Sequence, residues 1–339
     1  MLVVPRVRST RSANGFTLVE LLVVVGIIAV LISILLPSLA GARRAANTLN
    51  CESNLRQVGI AMLMYAQQNN GAIPGNGWTS SAFLYNIKGN KNYNCPNVCQ
   101  VWDWQAPLAK LMGLQFDEGY TLASRQSRFL ALCQYGPFQC AENDILAPPY
   151  ASSPIQVVAP LISYNTALIF QMAYGSGDVT RFQKYINTGT YRPNLNKIGT
   201  SAAKIFMCDG GRWNDGSVVG PPDYNLSWDG SGQTGTVSPG GAYSDYGPWS
   251  AYTRAFAFTP NLTALYSMRH GARTQTKFLS ELKFDALYFD GHVETLTAQE
   301  GMNPSLWMPK GTILPQTEMC DTAKEFYLPP GATQLNIAQ

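Results

Sequence analysis

Charge and histidine are scarce in this sequence. Of its 339 residues only 13% are Asp, Glu, Lys or Arg, against the ~25% usual in soluble domains, and His270 and His292 are the only two histidines. A surface so poor in clustered Lys and Arg cannot displace the counterions of a polynucleotide, so nucleic acid is not an expected partner. No P-loop, GxGxxG or Ser-His-Asp set is visible, and no internal repeat. The formal charge of +3 points to no ligand either. Arg6, Arg8 and Arg11 lie in the first 15 residues, which hold no acid, and setting them aside leaves 21 basic and 21 acidic side chains.

Apolar side chains are plentiful, at 46%, enough for a large core. They are concentrated first in Phe16 to Leu36, FTLVELLVVVGIIAVLISILL, 21 residues with one charge, Glu20. As a helix at 1.5 Å per residue this run spans ~32 Å, which matches a bilayer core. A secretory signal has a shorter apolar region and a small-residue cleavage site behind it. Here Pro37 and a further helical stretch follow instead. A carboxylate this deep in an apolar run costs roughly 2.5–3.5 kcal/mol or more in a membrane and calls for a partner.

The string GFTLVELLVVVGIIAVL, behind a short basic leader, closely resembles the processing and assembly segment of type IV pilins and type II secretion pseudopilins. The resemblance implies cleavage between Gly15 and Phe16 by a prepilin peptidase and methylation of the new amino terminus at Phe16. It also implies pairing of Glu20 with the α-amino group of a neighbouring subunit during assembly, and a helix kink at Pro37. The arginines on either side of the apolar run barely discriminate orientation. A single pass through the inner membrane, with the head in the periplasm or at the cell surface in a filament, follows from the resemblance alone.

From Ser38 to Asn70 the chain is rich in Ala, Leu, Gln and Asn, and Leu55, Val58, Met62 and Tyr65 recur at spacings that line one face of a helix. Asn69-Asn70-Gly71 reads as the stop, with Gly71 able to turn left-handed. The expected division is a leader at 1–15, a transmembrane helix at 16–36, a stem helix at 37–70 and an extracytoplasmic head at 71–339. In the head, apolar runs at Ile155–Ser163, Ala202–Cys208 and Ala286–Leu296 separated by turn-rich stretches predict antiparallel sheet. Residues 209–248 hold ten Gly and four Pro and read as long surface loop. The fold class expected is α+β: a long amino-terminal helix packed on a mainly antiparallel sheet.

Within ALYFDGHVETL, Asp290-Gly291 reads as a type I′ hairpin turn, with His292 and Glu294 on one face of the return strand. The stem string CESNLRQVGIAMLMYAQQNN and this hairpin resemble pilin-like proteins of planctomycete-type bacteria, whose carboxy-terminal motif is a His, nine residues and Asp-Gly. The matching residues are His270, Asp290, Gly291 and His292, but 19 residues separate His270 from Asp290. Cys140, Tyr164-Asn165 and Asp209 sit where those proteins have similar residues.

Seven cysteines allow three disulfides in an exported chain. Cys95–Cys99 and Cys133–Cys140 are close enough for local bridges, and the same four could be zinc ligands, with irregular spacing and no His nearby. Arg269-His270-Gly271-Ala272-Arg273 approaches the phosphate pocket of histidine acid phosphatases, but Gln275 replaces its proline and only 69 residues follow His270. Asp290, His292 and Glu294 could hold a metal, although a polar hairpin pair is the plainer reading. Asp209, Asn214 and Asp215 among glycines suggest a loop calcium site, with a spacing that fits no defined calcium loop. No other cofactor is expected, and no catalytic residue.

The sequence therefore predicts a structural pilin-like or pseudopilin subunit of a type II secretion-like or type IV pilus-like machine. Its partners would be a prepilin peptidase and other pilin-like subunits. The rivals are a surface adhesin on a pilin-type anchor and a tethered hydrolase centred on His270.

Overall fold

The computed structural model describes residues 17–74, 104–118, 127, 130–132, 134–143, 146–147, 159–160, 163–166, 170, 189–209, 269–271, 280–316, 319 and 321–338. The chain divides into two compact units, Met1–Ala46 and Asn47–Gln339.

Helix α1 (Leu18–Gln68) runs unbroken through Pro37, which removes one backbone donor without ending the helix. Its start is a capping box. Thr17 Oγ1 accepts the Glu20 N–H (3.3 Å), and Glu20 Oε2 accepts the Thr17 N–H (2.9 Å) and hydroxyl (2.7 Å), satisfying donors that a helix amino terminus leaves orphaned. Thr17-Leu-Val-Glu20 is thus a helix-start signal. The end falls where the turn residues placed it: Asn70 (φ 53°) and Gly71 (φ 81°) are both left-handed, and Gly71 N–H bonds Ala66 O at 2.7 Å.

The large apolar side chains from Leu18 to Leu36 are all exposed. This stretch belongs to a helix long and apolar enough to cross a bilayer. In the second unit the same helix is amphipathic: Cys51, Leu55, Val58, Met62 and Tyr65 are buried, the 3.6-residue stripe expected of the stem.

The head centres on a five-stranded antiparallel sheet. Strands β1 (Leu146–Ala147) and β2 (Ala159–Pro160) form a separate pair. The main sheet comprises β3 (Tyr164–Thr166), β4 (Ile205–Asp209), β5 (His270–Gly271), β6 (Leu282–Tyr288) and β7 (Val293–Thr297) in the order β3-β4-β6-β5, with β7 also on β6. Beyond it, β8 (Ile313–Pro315) and β9 (Gln334–Asn336) make a third pair. Helices α2 (Gln105–Leu111), α3 (Ala298–Gly301) and α4 (Asp321–Tyr327) are short.

Strand β6 organises the sheet. Residues 283–287 pair with β7 along one edge. The other edge serves β5 at Leu282 and Lys283 and β4 from Ala286 to Tyr288. Asp285 falls at the seam where β6 passes from one neighbour to the next.

The β6–β7 turn differs from the one read in the sequence. A type I′ turn needs positive φ at Asp290 and Gly291; only Gly291 has it (φ 93°). The loop is three residues, Phe289 to Gly291, closed by Gly291 N–H to Tyr288 O (3.0 Å) and Tyr288 N–H to His292 O (2.9 Å), with the glycine in the left-handed third place. The extra residue puts Phe289 against Phe206 and Phe170, ring centroids 5.2 and 4.9 Å away.

The helix meets this hairpin at Gly59, where a Cβ would lie 2.7 Å from Leu287 Cδ1 and 3.4 Å from Gly291 Cα.

Candidate functional site

Four ionisable side chains converge at the seam. Asp209 ends β4, Arg269 immediately precedes β5, His270 opens it, and Asp285 lies mid-strand in β6. Their side chains are 0, 5, 3 and 0% exposed. Asp209 Oδ1 pairs with Arg269 Nη1 at 3.2 Å. Asp209 Oδ2 accepts the Asp285 N–H at 2.8 Å, supplying an acceptor where the ladder has none. His270 Nε2 is 3.1 Å from Asp209 Oδ2 and 3.0 Å from Asp285 Oδ2. The second oxygen of Asp285 accepts the Thr295 hydroxyl from β7 at 2.6 Å, and Arg269 also donates to Ser163 O.

Burial alone would discharge His270, but the facing carboxylates of Asp209 and Asp285 outweigh it and push its pKa up to about 10. Burial pushes the Asp285 carboxyl up. With His270 as imidazolium the cluster holds two positive and two negative charges, the balance a buried site requires. Gly271 follows for a steric reason: its φ is 93°, and a Cβ there would stand 2.4 Å from Glu281 O.

The stem meets the head at this cluster. Thr48 Oγ1 lies 3.0 Å from His270 Nδ1. One turn on, Cys51 is disulfide-bonded to Cys140 across a separation of 89 residues, and Cys140 Sγ is 3.9 Å from His270 Nε2. Tyr164 OH donates to Cys51 O at 3.3 Å. Asn47 Nδ2 reaches Glu142 (2.6 Å) and Asn54 Nδ2 reaches Gln139 O (2.8 Å). These contacts clamp the segment 136–143 onto the helix.

Several sequence expectations change. Cys140 is bonded to Cys51, which removes it from a local bridge with Cys133 and from a four-cysteine zinc site. The fold places it beside the stem, a proximity that sequence spacing cannot show. Cys95, Cys99 and Cys133 lie outside the described residues; among those described, Cys208 is a buried free thiol. Asp209 is fully engaged with Arg269, His270 and the Asp285 amide instead of facing a loop, while its proposed calcium partners Asn214 and Asp215 lie outside the described residues. His270 and the Asp290-Gly291-His292 turn do not meet in a common cluster among the described residues. In that turn His292 Nδ1 is 2.6 Å from Asp290 Oδ1, its ring stacks on Tyr288 at 4.1 Å, and Glu294 accepts the Tyr288 hydroxyl at 3.2 Å. Glu294 does not join the other two as a metal ligand. Arg269 and His270 do converge with carboxylates, as a hydrolase would require, but in a cluster closed to solvent. Arg273, Gly15 and Phe16 lie outside the described residues.

Asp285, Thr48 and Thr295 are members that sequence reasoning missed. Asp285 had a signal, a lone carboxylate inside the apolar strand LKFDALY, since a buried charge implies a partner.

Comparison with known proteins bears on the helix rather than on this cluster. Residues 10–36 match the prokaryotic N-terminal methylation motif. The amino-terminal segment is type IV pilin-like. Over 60 residues the chain is 43% identical to the type IV wide pilus major component PilA4 of Thermus thermophilus, an alignment covering 18% of this chain and 46% of that pilin. The chain thus spans about half the length of the curated relative it matches. No solved structure matches the chain. The methylation motif at residues 10–36 contains Glu20 and its Thr17 cap, while the head with its charge cluster lies outside that motif.

Proposed function

We propose that this chain is a structural pilin-like subunit of a type II secretion-like or type IV pilus-like envelope machine. A prepilin peptidase cuts after Gly15 and Phe16 is methylated. The apolar run from Phe16 to Leu36 then anchors the subunit in the inner membrane with its head outside the cytoplasm, until the subunit joins other pilin-like subunits in a filament. The observation that carries this reading is the methylation motif at residues 10–36, coincident with a helical stretch, Leu18–Leu36, whose large apolar side chains are all exposed. Lipid covers that surface before assembly and neighbouring helices cover it afterwards.

Glu20 is the sole charge of the run and is satisfied within its own chain by the Thr17 amide and hydroxyl. That arrangement lowers the cost of holding a carboxylate in the membrane. In the filament a neighbour's α-amino group takes up the carboxylate. The head cluster serves as a fastener between stem and sheet. Burial of Arg269, His270, Asp209 and Asp285 favours the structural role over a tethered hydrolase.

The test is Glu20→Leu co-expressed with the native chain. The variant should insert and be cleaved normally yet be missing from sheared filaments or cross-linked pseudopili, because a buried amine left without its counter-charge costs several kcal/mol, about 3–5. Incorporation at the native level would show that Glu20 has no part in assembly.

A further inference from the structure

Beyond that structural role, the geometry points to a metal site: we propose that His270 Nε2, Asp209 Oδ2 and Asp285 Oδ2 bind one divalent transition-metal ion inside the head. The three donor atoms lie within 4.8 Å of one another, with Nε2 3.1 and 3.0 Å from the two oxygens. An ion with ligand bonds of about 2.1 Å spaces adjacent octahedral donors about 3 Å apart.

Asp285 Oδ2 points to a ligand independently. It is fully buried and accepts no hydrogen bond among the described residues. It faces His270 Nε2 at 3.0 Å as an ion pair.

The outer shell is already of the kind that orients metal ligands. Each ligand's remaining polar atom is held: Asp209 Oδ1 by Arg269 (3.2 Å), Asp285 Oδ1 by Thr295 (2.6 Å) and His270 Nδ1 by Thr48 (3.0 Å). Such contacts fix the ring tautomer and aim the carboxylates. One imidazole and two carboxylates suit Zn²⁺, Mn²⁺ or Fe²⁺ better than the all-oxygen cages of Ca²⁺. The exchange balances simply: one M²⁺ enters, the Nε2 proton leaves to solvent, and nothing is oxidised or reduced. The neighbouring sulfurs of Cys51 and Cys140 are in a disulfide and so are not thiolate ligands. Because the cluster is closed to solvent, the ion enters as the head folds and is then retained as a staple between stem and sheet.

The experiment uses the full-length protein without a polyhistidine tag, purified in detergent from cultures grown with added Zn²⁺ and from cultures restricted by a chelator. Metal is counted by mass spectrometry and stability read by thermal unfolding. The expected result is about one metal ion per chain and a higher Tm for the zinc-grown protein, with metal absent from His270→Gln and Asp285→Asn. If those variants do not fold, Thr295→Val decides, because it leaves all three ligands in place. It should yield its zinc to chelators about 10- to 100-fold weaker than the native protein requires, the usual loss on removing an outer-shell partner. Less than one tenth of an ion per chain in zinc-grown native protein overturns the proposal. So does full retention in Asp285→Asn, or native chelator resistance in Thr295→Val.

Discussion

Asp209 Oδ2 accepts the backbone N–H of Asp285 at 2.8 Å, a side chain serving as the acceptor at the point where β6 leaves β5 and takes up β4. The same carboxylate faces Arg269 and His270, so one residue closes the sheet and balances its buried charge. Asp209→Ala should therefore cost about 3–5 kcal/mol, the usual penalty for stripping one member from a buried charge group. Urea unfolding of the detergent-solubilised chain measures it, and a loss below about 1 kcal/mol would show that the cluster is not cooperative.

The Cys51–Cys140 bond joins helix and head across 89 residues. By chain entropy a loop of that length contributes about 4.6 kcal/mol. Cys51→Ser should lower the unfolding midpoint accordingly and leave Cys140 alkylatable only after denaturation. Unchanged stability would mean that the remaining stem contacts suffice.

Packing at Gly59 provides a steric test. A Cβ would approach Leu287 Cδ1 to 2.7 Å, and Leu287 is fully buried. Gly59→Val should destabilise by about 1–3 kcal/mol through overpacking, whereas Gly41→Val, where nothing lies within 4 Å of the Cβ, should cost nothing, because Val is a better helix former than Gly. Equal effects at the two positions would contradict this helix–hairpin contact.

The stem and sheet were legible because they rest on local pattern. Leu55, Val58, Met62 and Tyr65 declare a helical face, Asn69-Asn70-Gly71 a stop, and Ala202–Cys208 and Ala286–Leu296 a pair of strands. The turn at Asp290-Gly291 was misjudged by one residue, because Phe289 is drawn into the core by Phe170 and Phe206, a tertiary demand invisible in the dipeptide. The charge cluster was only half legible. His270 and Asp209 stood out through family resemblance, but their meeting with Asp285 depends on β5 and β4 sharing one edge of β6. The disulfide escaped for the same reason: proximity in sequence favoured Cys133, while the fold brings Cys51 to Cys140.

A pH dependence follows from Lys204, whose ammonium donates to Ser305 O at 2.6 Å and whose pKa burial lowers to about 8. The unfolded chain holds that proton up to about 10.5, so this group costs stability below pH 8. The cost is relieved as pH rises from about 8 to about 10.5. Lys204→Met should lack that contribution, so the native-minus-variant stability difference should shift in favour of the native chain across this window. Thermal unfolding of both proteins at pH 7 and pH 10 reads it, and a constant difference would show that Lys204 does not change its ionisation on folding.

Whether the protein is a processed pilin-like subunit is read from the intact mass and amino-terminal sequence of the chain taken from its native membrane. It should start at Phe16 and carry one added methyl group on its α-nitrogen. A chain that retains Met1, or one cut beyond Leu36, would contradict it.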